Sequence, residues 1–137
     1  MNARQKEALG ILSDYVPVFE AKDFKAGTWS SPKREKGVVI LPYFSFSPDV
    51  LEFERSAYDS GCVLSGFDWP NWMESDEARL LLESAGAVEA ADGEQLLKLV
   101  TAHIRGDRFS EGTLAEAFES GLMLRIARRA GELLKAA

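Results

Sequence analysis

The last third of the chain contains three runs of apolar residues that recur every three or four positions. The first run is Leu96, Val100 and Ile104, and the last begins after Gly121. Apolar residues at this spacing lie on one face of a helix, which is stable only when that face is buried. A charged break at 105–112 separates the first run from the second. Because helices joined by short connections pack as antiparallel neighbours, this region predicts three packed helices.

The earlier segments also contain helix signals. A helix is predicted from Ala3 to about Tyr15. Another is predicted to begin at Ser47, which is a good N-cap followed by proline, and to end at Gly61. The only strand-like run, Val38–Phe46, is interrupted by Pro42, which restricts it to a short or edge strand.

The predicted fold is therefore all-α or nearly all-α. We expect a single domain over residues 1–137, built as a compact bundle of five or six helices with at most one short β piece. A length of 137 residues, of which 46% are hydrophobic, is sufficient for one core.

Composition excludes several classes of site. Cys62 is the only cysteine and His103 the only histidine, so neither a disulfide nor a zinc site with several Cys or His ligands can form within one chain. Four carboxylates, at Glu74, Asp76, Glu77 and Glu83, could bind a divalent metal, but they lack both the Glu-x-x-His pattern of di-metal helical proteins and the alternating oxygen ligands of an EF-hand. We expect no metal and no cofactor. With neither a signal peptide nor a long apolar run, we expect a soluble protein with no membrane partner, most simply cytoplasmic.

Charge is unevenly distributed along the chain. Residues 46–94 carry 2 basic and 12 acidic side chains, whereas residues 1–45 and 95–137 each carry 7 basic and 5 acidic ones. The acidic middle argues against a nucleic-acid partner, which requires a contiguous basic surface. It is typical of a solvated helix face, and the alternative is that it binds a basic partner or the basic last helix of a second copy.

His103 is the residue best suited to act as a general base near neutral pH. It lies on the apolar stripe of its helix, three residues after Val100. A histidine in that position is more often partly buried, with its ring nitrogens bonded to a carbonyl or to a carboxylate such as Asp107. We favour this structural role.

Two further clusters have both a structural and a functional interpretation. Arg105 and Arg108, with Glu111 close by, could clamp a small anionic ligand; the alternative, which we favour, is that they cap a helix and tie the corner together. Asp68, Trp69 and Trp72 could line a pocket, although large aromatic residues are more often core anchors and Asp68 is well placed to cap a turn.

These residues also carry a family resemblance. The run from Arg105 to Gly112, the Asp68-Trp69-x-x-Trp72 turn and Leu41-Pro42-Tyr43 resemble landmarks of a bacterial family catalogued as domain of unknown function 6508. The resemblance covers the chain from about residue 38 onward. That family has no assigned activity, so the resemblance implies kinship without a chemistry. It also draws attention to one possible shared surface, formed by Asp68, Trp72, Arg105, Arg108 and Glu111.

The sequence therefore favours a small binding or interaction module that self-associates. The alternative is an enzyme acting on an anionic small molecule, with Arg105 and Arg108 as the clamp and Glu111 or His103 as the acid–base residue. A nucleic-acid accessory protein is disfavoured by the acidic middle.

Three structural expectations follow from the spacing of these residues. Phe109 and Phe118 are predicted to lie in the core. Arg108 is predicted to pair with Glu111 or Asp107. The last helix is predicted to form a homodimer through an apolar stripe, which is either Ile126, Ala130 and Leu133 or Met123, Ala127 and Leu134.

Overall fold

The computed structural model describes every residue from Met1 to Ala137 and contains both helices and strands. The helices are α1 (Ala3–Asp14), α2 (Val16–Glu20), α3 (Pro48–Ser60), α4 (Trp69–Met73), α5 (Asp76–Glu83), α6 (Gly93–Gly106), α7 (Thr113–Glu119) and α8 (Leu122–Ala136), with a 3-10 turn at Val88–Ala90. The strands are β1 (Gly27–Trp29), β2 (Lys33–Glu35), β3 (Val38–Ile40) and β4 (Phe44–Phe46).

The prediction of a nearly all-α fold with at most one short β piece is wrong. Strands β1 and β4 pair antiparallel, and the β2–β3 hairpin between them forms a second antiparallel sheet. Each strand has only three residues, and most of their side chains are exposed. The sequence therefore has no alternating apolar pattern from which these strands could be predicted. The fold is therefore mixed, with two small two-stranded sheets beside the helices.

A local signal for the hairpin does exist. Glu35 pairs with Val38, so Lys36 and Gly37 form its two-residue loop. Both residues have positive φ, 48° and 79°, as a type I′ turn requires. Lysine is an unusual residue for the first of these positions, so Lys36-Gly37 lacks the Asn-Gly or Asp-Gly pattern that is typical of a hairpin turn.

The helix count also exceeds the five or six predicted. α1 ends at Asp14 and α2 begins at Val16, since Pro17 fits only the first turn of a new helix. The predicted cap at Ser47 is confirmed, since its side-chain oxygen accepts from the backbone N–H of Val50 at the start of α3. At the start of α6, Asp92 forms a reciprocal capping box with Gln95.

The last helix lies in the middle of the core. α8 packs along α1 and also touches α2, α6 and α7, with Met123, Ile126 and Ala130 fully buried. The two helices approach closely because position 131 is glycine: a Cβ atom there would lie 2.9 Å from the Ser13 hydroxyl. The apolar face of α8 is thus covered by the chain itself.

Aromatic rings fill the space between α2, α3 and α7. The centroid of Phe19 lies 5.2 Å from that of Phe53 and 5.1 Å from that of Phe118, both in edge-to-face arrangements. Phe118 is buried, which confirms its predicted place in the core.

None of the helices is both long and apolar enough to cross a bilayer.

Candidate functional site

The charged break at 105–112 folds as a corner between α6 and α7, and Asp107 holds it together. One carboxylate oxygen of Asp107 accepts hydrogen bonds from the backbone N–H groups of Gly112 and Leu114, both at 3.1 Å. These groups would otherwise lack partners at the start of α7. Gly112 has φ +104°, a conformation that favours glycine. Asp107, at the C-terminal end of α6, thus caps the start of α7.

Arg108 does not form the predicted ion pair. Neither Glu111 nor Asp107 is bridged to it, and the Arg108 guanidinium instead lies 6.0 Å from the centroid of the Tyr58 ring on α3. Beside them, partial burial raises the pKa of Glu54; the Asp107 carboxylate adds to this effect, and Arg108 opposes it. The prediction placed Arg108 and Glu111 across a helix start, whereas both residues lie in the corner and α7 begins only at Thr113.

Exposed aromatic rings surround this corner. Phe109 is 82% exposed, so its predicted place in the core is wrong. Its ring centroid lies 6.0 Å from that of Trp69. The Trp69 ring in turn covers Gly106, where a Cβ atom would be 3.6 Å away. The motif at Asp68–Trp72 therefore meets the motif at 105–112.

A third aromatic residue comes from the first sheet. Trp29 on β1 would lie 3.5 Å from a Cβ atom placed on Gly112, and half of its side chain is exposed. No sequence spacing predicts this contact, since it joins residues far apart in the chain. We use the name aromatic surface for five residues grouped around the corner: Trp29, Tyr58, Trp69, Arg108 and Phe109.

Arg105 is half-buried beside this surface. Its Nε is the only buried side-chain nitrogen or oxygen of the chain that has no hydrogen-bond partner. Such an atom has lost its hydration without replacement, which costs about 1–3 kcal/mol in a typical protein. Glu111 is exposed and forms no ion pair. Neither residue lines one of the four best-formed cavities.

Asp68 and Trp72 anchor the turn that carries Trp69. The Asp68 carboxylate accepts from the backbone N–H of Asn71 at 3.3 Å and caps α4. Trp72 is buried, and its indole N–H donates to the Glu77 carboxylate at 2.5 Å. That hydrogen bond is the main reason that the pKa of Glu77 is lowered, with Lys98 contributing. This geometry agrees with the anchoring role that the sequence favoured for these two residues.

His103 lies apart from the aromatic surface. It is 8% exposed, and its Nδ1 is 2.8 Å from the carbonyl oxygen of Leu99. Burial lowers its pKa, although the Leu99 carbonyl and the Glu116 carboxylate both act in the opposite direction. It lines a cavity of about 410 Å³ that includes none of the other predicted site residues. The seven candidate residues therefore do not converge on one pocket.

Fold and site together define a small, mainly helical domain with two short β-sheets and an exposed aromatic corner. The chain belongs to the family of unknown function DUF6508, whose model matches residues 4–136. The match confirms the family resemblance and extends it over the first helix. No curated protein and no solved structure matches the chain.

Proposed function

We propose that this domain is a binding module whose aromatic surface recognises a segment of another protein. The observation that carries the proposal is Phe109, a phenylalanine that is 82% exposed and whose ring lies 6.0 Å from that of the partly exposed Trp69. Two more partly exposed rings, Trp29 and Tyr58, lie against other residues of the same corner. Contiguous apolar surface is rare in monomeric proteins and typically marks an interaction site. Tyrosine, tryptophan and arginine, which are all present in this surface, are the residues most enriched in binding hot spots.

The corner supports the proposal because it presents these rings rigidly. Asp107 ties the corner to the start of α7, and the Trp69 ring packs onto Gly106. A surface that is already ordered loses less conformational entropy when a partner binds. The backbone that carries Phe109 is therefore held in place, even though the Phe109 ring makes little contribution to the core.

Neighbouring charge suggests the chemistry of the partner. Residues 22–37 carry five basic and two acidic side chains, and Trp29 connects this segment to the corner. The adjacent hairpin also exposes Val38, Val39 and Leu41. A segment that combines apolar side chains with carboxylates would complement both properties.

Self-association is one form that such binding could take, and the homodimer remains a proposal. The apolar stripe of α8 that the sequence assigned to a dimer is buried within one chain. A second copy would therefore dock through another surface, and the aromatic surface is the exposed apolar area that combines the most aromatic residues.

The second candidate function is an enzyme or receptor for an anionic small molecule. The unpartnered Arg105 Nε favours it, since a bound carboxylate or phosphate would satisfy that group. The absence of Arg105 and Arg108 from the best-formed cavities weighs against it. We therefore place the binding module first.

Selection from a random peptide display library tests the proposal. Peptides that bind the wild-type domain should be enriched in apolar and acidic residues. Phe109→Ala should weaken their binding by about tenfold or more, which corresponds to ~1.4 kcal/mol. Leu80→Ala is the matched control, because Leu80 is a large apolar side chain that is 62% exposed on α5, away from the corner. Enriched peptides whose affinity survives Phe109→Ala, or a failure to enrich any peptide, would refute the proposal.

A further inference from the structure

The cavity beside His103 has the composition of a small-molecule site. It lies between α6, α7, α8 and the end of α5, and its volume of about 410 Å³ is in the range of ligand pockets. Leu82, Ala117 and Leu122 supply apolar wall. Three ionisable side chains also line it: His103, Glu116 and Arg125.

His103 presents a hydrogen-bond acceptor to this cavity. The Leu99 carbonyl can only accept, so the 2.8 Å contact places the proton of a neutral ring on Nδ1. The other nitrogen, Nε2, is then a lone-pair acceptor. It has no protein partner, yet it is not among the buried unpartnered atoms, so solvent reaches it. Since His103 is 8% exposed and lines the cavity, that solvent is in the cavity.

Glu116 adds an unpaired carboxylate on the same wall. It is exposed on α7 and forms no ion pair or side-chain hydrogen bond. It is also close enough to His103 for its charge to act on the ring. A carboxylate and an imidazole acceptor that share a cavity form a suitable site for a primary ammonium group, which has three N–H donors.

Arg125 provides the opposite charge. Its Nε and Nη2 donate to the two oxygens of Glu89 at 2.7 and 2.8 Å, which fixes the guanidinium in place. Its Nη1 makes no hydrogen bond within the chain, so it remains available to a ligand anion. An immobilised arginine binds a carboxylate with little further loss of side-chain entropy.

We infer that the His103 cavity binds a small zwitterion of the α-amino-acid class. The ligand ammonium donates to Glu116 and to His103 Nε2, and the ligand carboxylate accepts from Arg125 Nη1. A short apolar side chain packs against Leu82, Ala117 and Leu122. This site is separate from the aromatic surface and does not depend on its function.

The single histidine offers a direct test by NMR. The free amino acids that occur in proteins are added one at a time, at fixed pH, while the imidazole Hε1 signal of His103 is recorded. Three matched probes serve as controls. Acetate carries only a carboxylate, methylammonium carries only an ammonium group, and sodium chloride changes the ionic strength without supplying either group. The proposal predicts a saturable shift for amino acids with small apolar side chains and none for the matched probes.

Variants of two glutamates on α7 test whether the amino acid binds in the His103 cavity. Glu116→Gln should weaken amino-acid binding, measured by calorimetry, by about tenfold or more. Glu119→Gln should leave it unchanged, because Glu119 does not line this cavity. Thermal unfolding checks that both variants are folded. The inference is overturned if no amino acid shifts the signal, if acetate or salt alone reproduces the shift, or if folded Glu116→Gln binds as the wild type does.

Discussion

Two phenylalanines close in sequence have opposite environments. Phe118 lies among the rings of Phe19 and Phe53, with centroid distances of 5.1 and 6.0 Å. Phe109 extends from the corner and is 82% exposed, with the Trp69 ring beside it. Since the hydrophobic contribution scales with the apolar area removed from water, only Phe118 makes a large contribution to the free energy of unfolding.

This contrast gives a stability prediction. Phe118→Ala should lower the free energy of unfolding by about 3–5 kcal/mol, as truncation of a buried aromatic ring does. Phe109→Ala should change it by less than about 0.5 kcal/mol, as exposed substitutions do. Urea denaturation of both variants makes the comparison. A loss above 1 kcal/mol for Phe109→Ala would mean that Phe109 belongs to the core after all.

His103 gives a prediction on pH. Burial lowers its pKa below the value of about 6.5 that an exposed histidine has. The unfolded chain therefore binds the histidine proton more readily than the folded chain. As a result, the contribution of His103 to stability is fully present above the unfolded pKa of about 6.5 and is lost as the pH falls from there through the folded pKa.

The Hε1 signal of the only histidine measures this pKa directly. The midpoint of its titration should lie below about 6.5. In the variant His103→Gln, the decline in melting temperature between about pH 6.5 and pH 5 should be reduced, since the carboxylates titrate mostly at lower pH. A midpoint at or above that of an exposed histidine would show that the ring is not desolvated.

At the scale of elements, the junction of α6 and α7 depends on one carboxylate. Asp107 accepts from Gly112 and Leu114, and the N-cap residue of α7, Gly112, has no side chain that could take its place. The corner in turn positions Phe109 and contacts Trp29 and Trp69. A substitution at Asp107 should therefore affect both stability and the aromatic surface.

We predict that Asp107→Ala lowers the free energy of unfolding by about 1–3 kcal/mol, because two backbone N–H groups lose their acceptor. Asp107→Asn should cost less, since its amide oxygen can still accept. Glu111→Ala, in the same corner but exposed and unpaired, is the control and should change stability by less than about 0.5 kcal/mol. If Asp107→Ala were as stable as this control, Asp107 would not hold the corner.

At the scale of the whole molecule, α8 closes the core of a single chain. Its apolar residues Met123, Ile126 and Ala130 are fully buried without a second copy. If that face also required a partner, stability would rise with protein concentration by mass action. We predict that the melting temperature of Phe109→Ala, in which the aromatic surface is weakened, does not change with concentration over the micromolar range. A rise in this variant would instead indicate a dimer through α8.

The sequence predicted the long helices well because their signals are local. The cap at Ser47 and the glycine at Gly61 predicted the ends of α3 to within about two residues. It failed where long-range packing decides the structure. The three-residue strands have no period of their own, and the exposure of Phe109 depends on where the corner turns.

The site was predictable only in part for the same reason. The two motifs, at Asp68–Trp72 and 105–112, were each visible as clusters of unusual residues, and the Trp69 ring does meet the corner. The separation of His103 from them follows from which face of α6 packs inward. The approach of Trp29 to Gly112 depends on the path of an entire sheet, which residue spacing does not encode.

The three tryptophans permit the most direct test of the binding surface. Each indole N–H gives its own NMR signal; Trp29 and Trp69 belong to the aromatic surface, while Trp72 is buried with its N–H bonded to Glu77. When a peptide selected on the wild-type domain is added, we expect the Trp29 and Trp69 signals to shift to saturation and the Trp72 signal to stay in place. Saturable binding that moves neither Trp29 nor Trp69 would show that the domain binds its partner through a surface other than the aromatic surface.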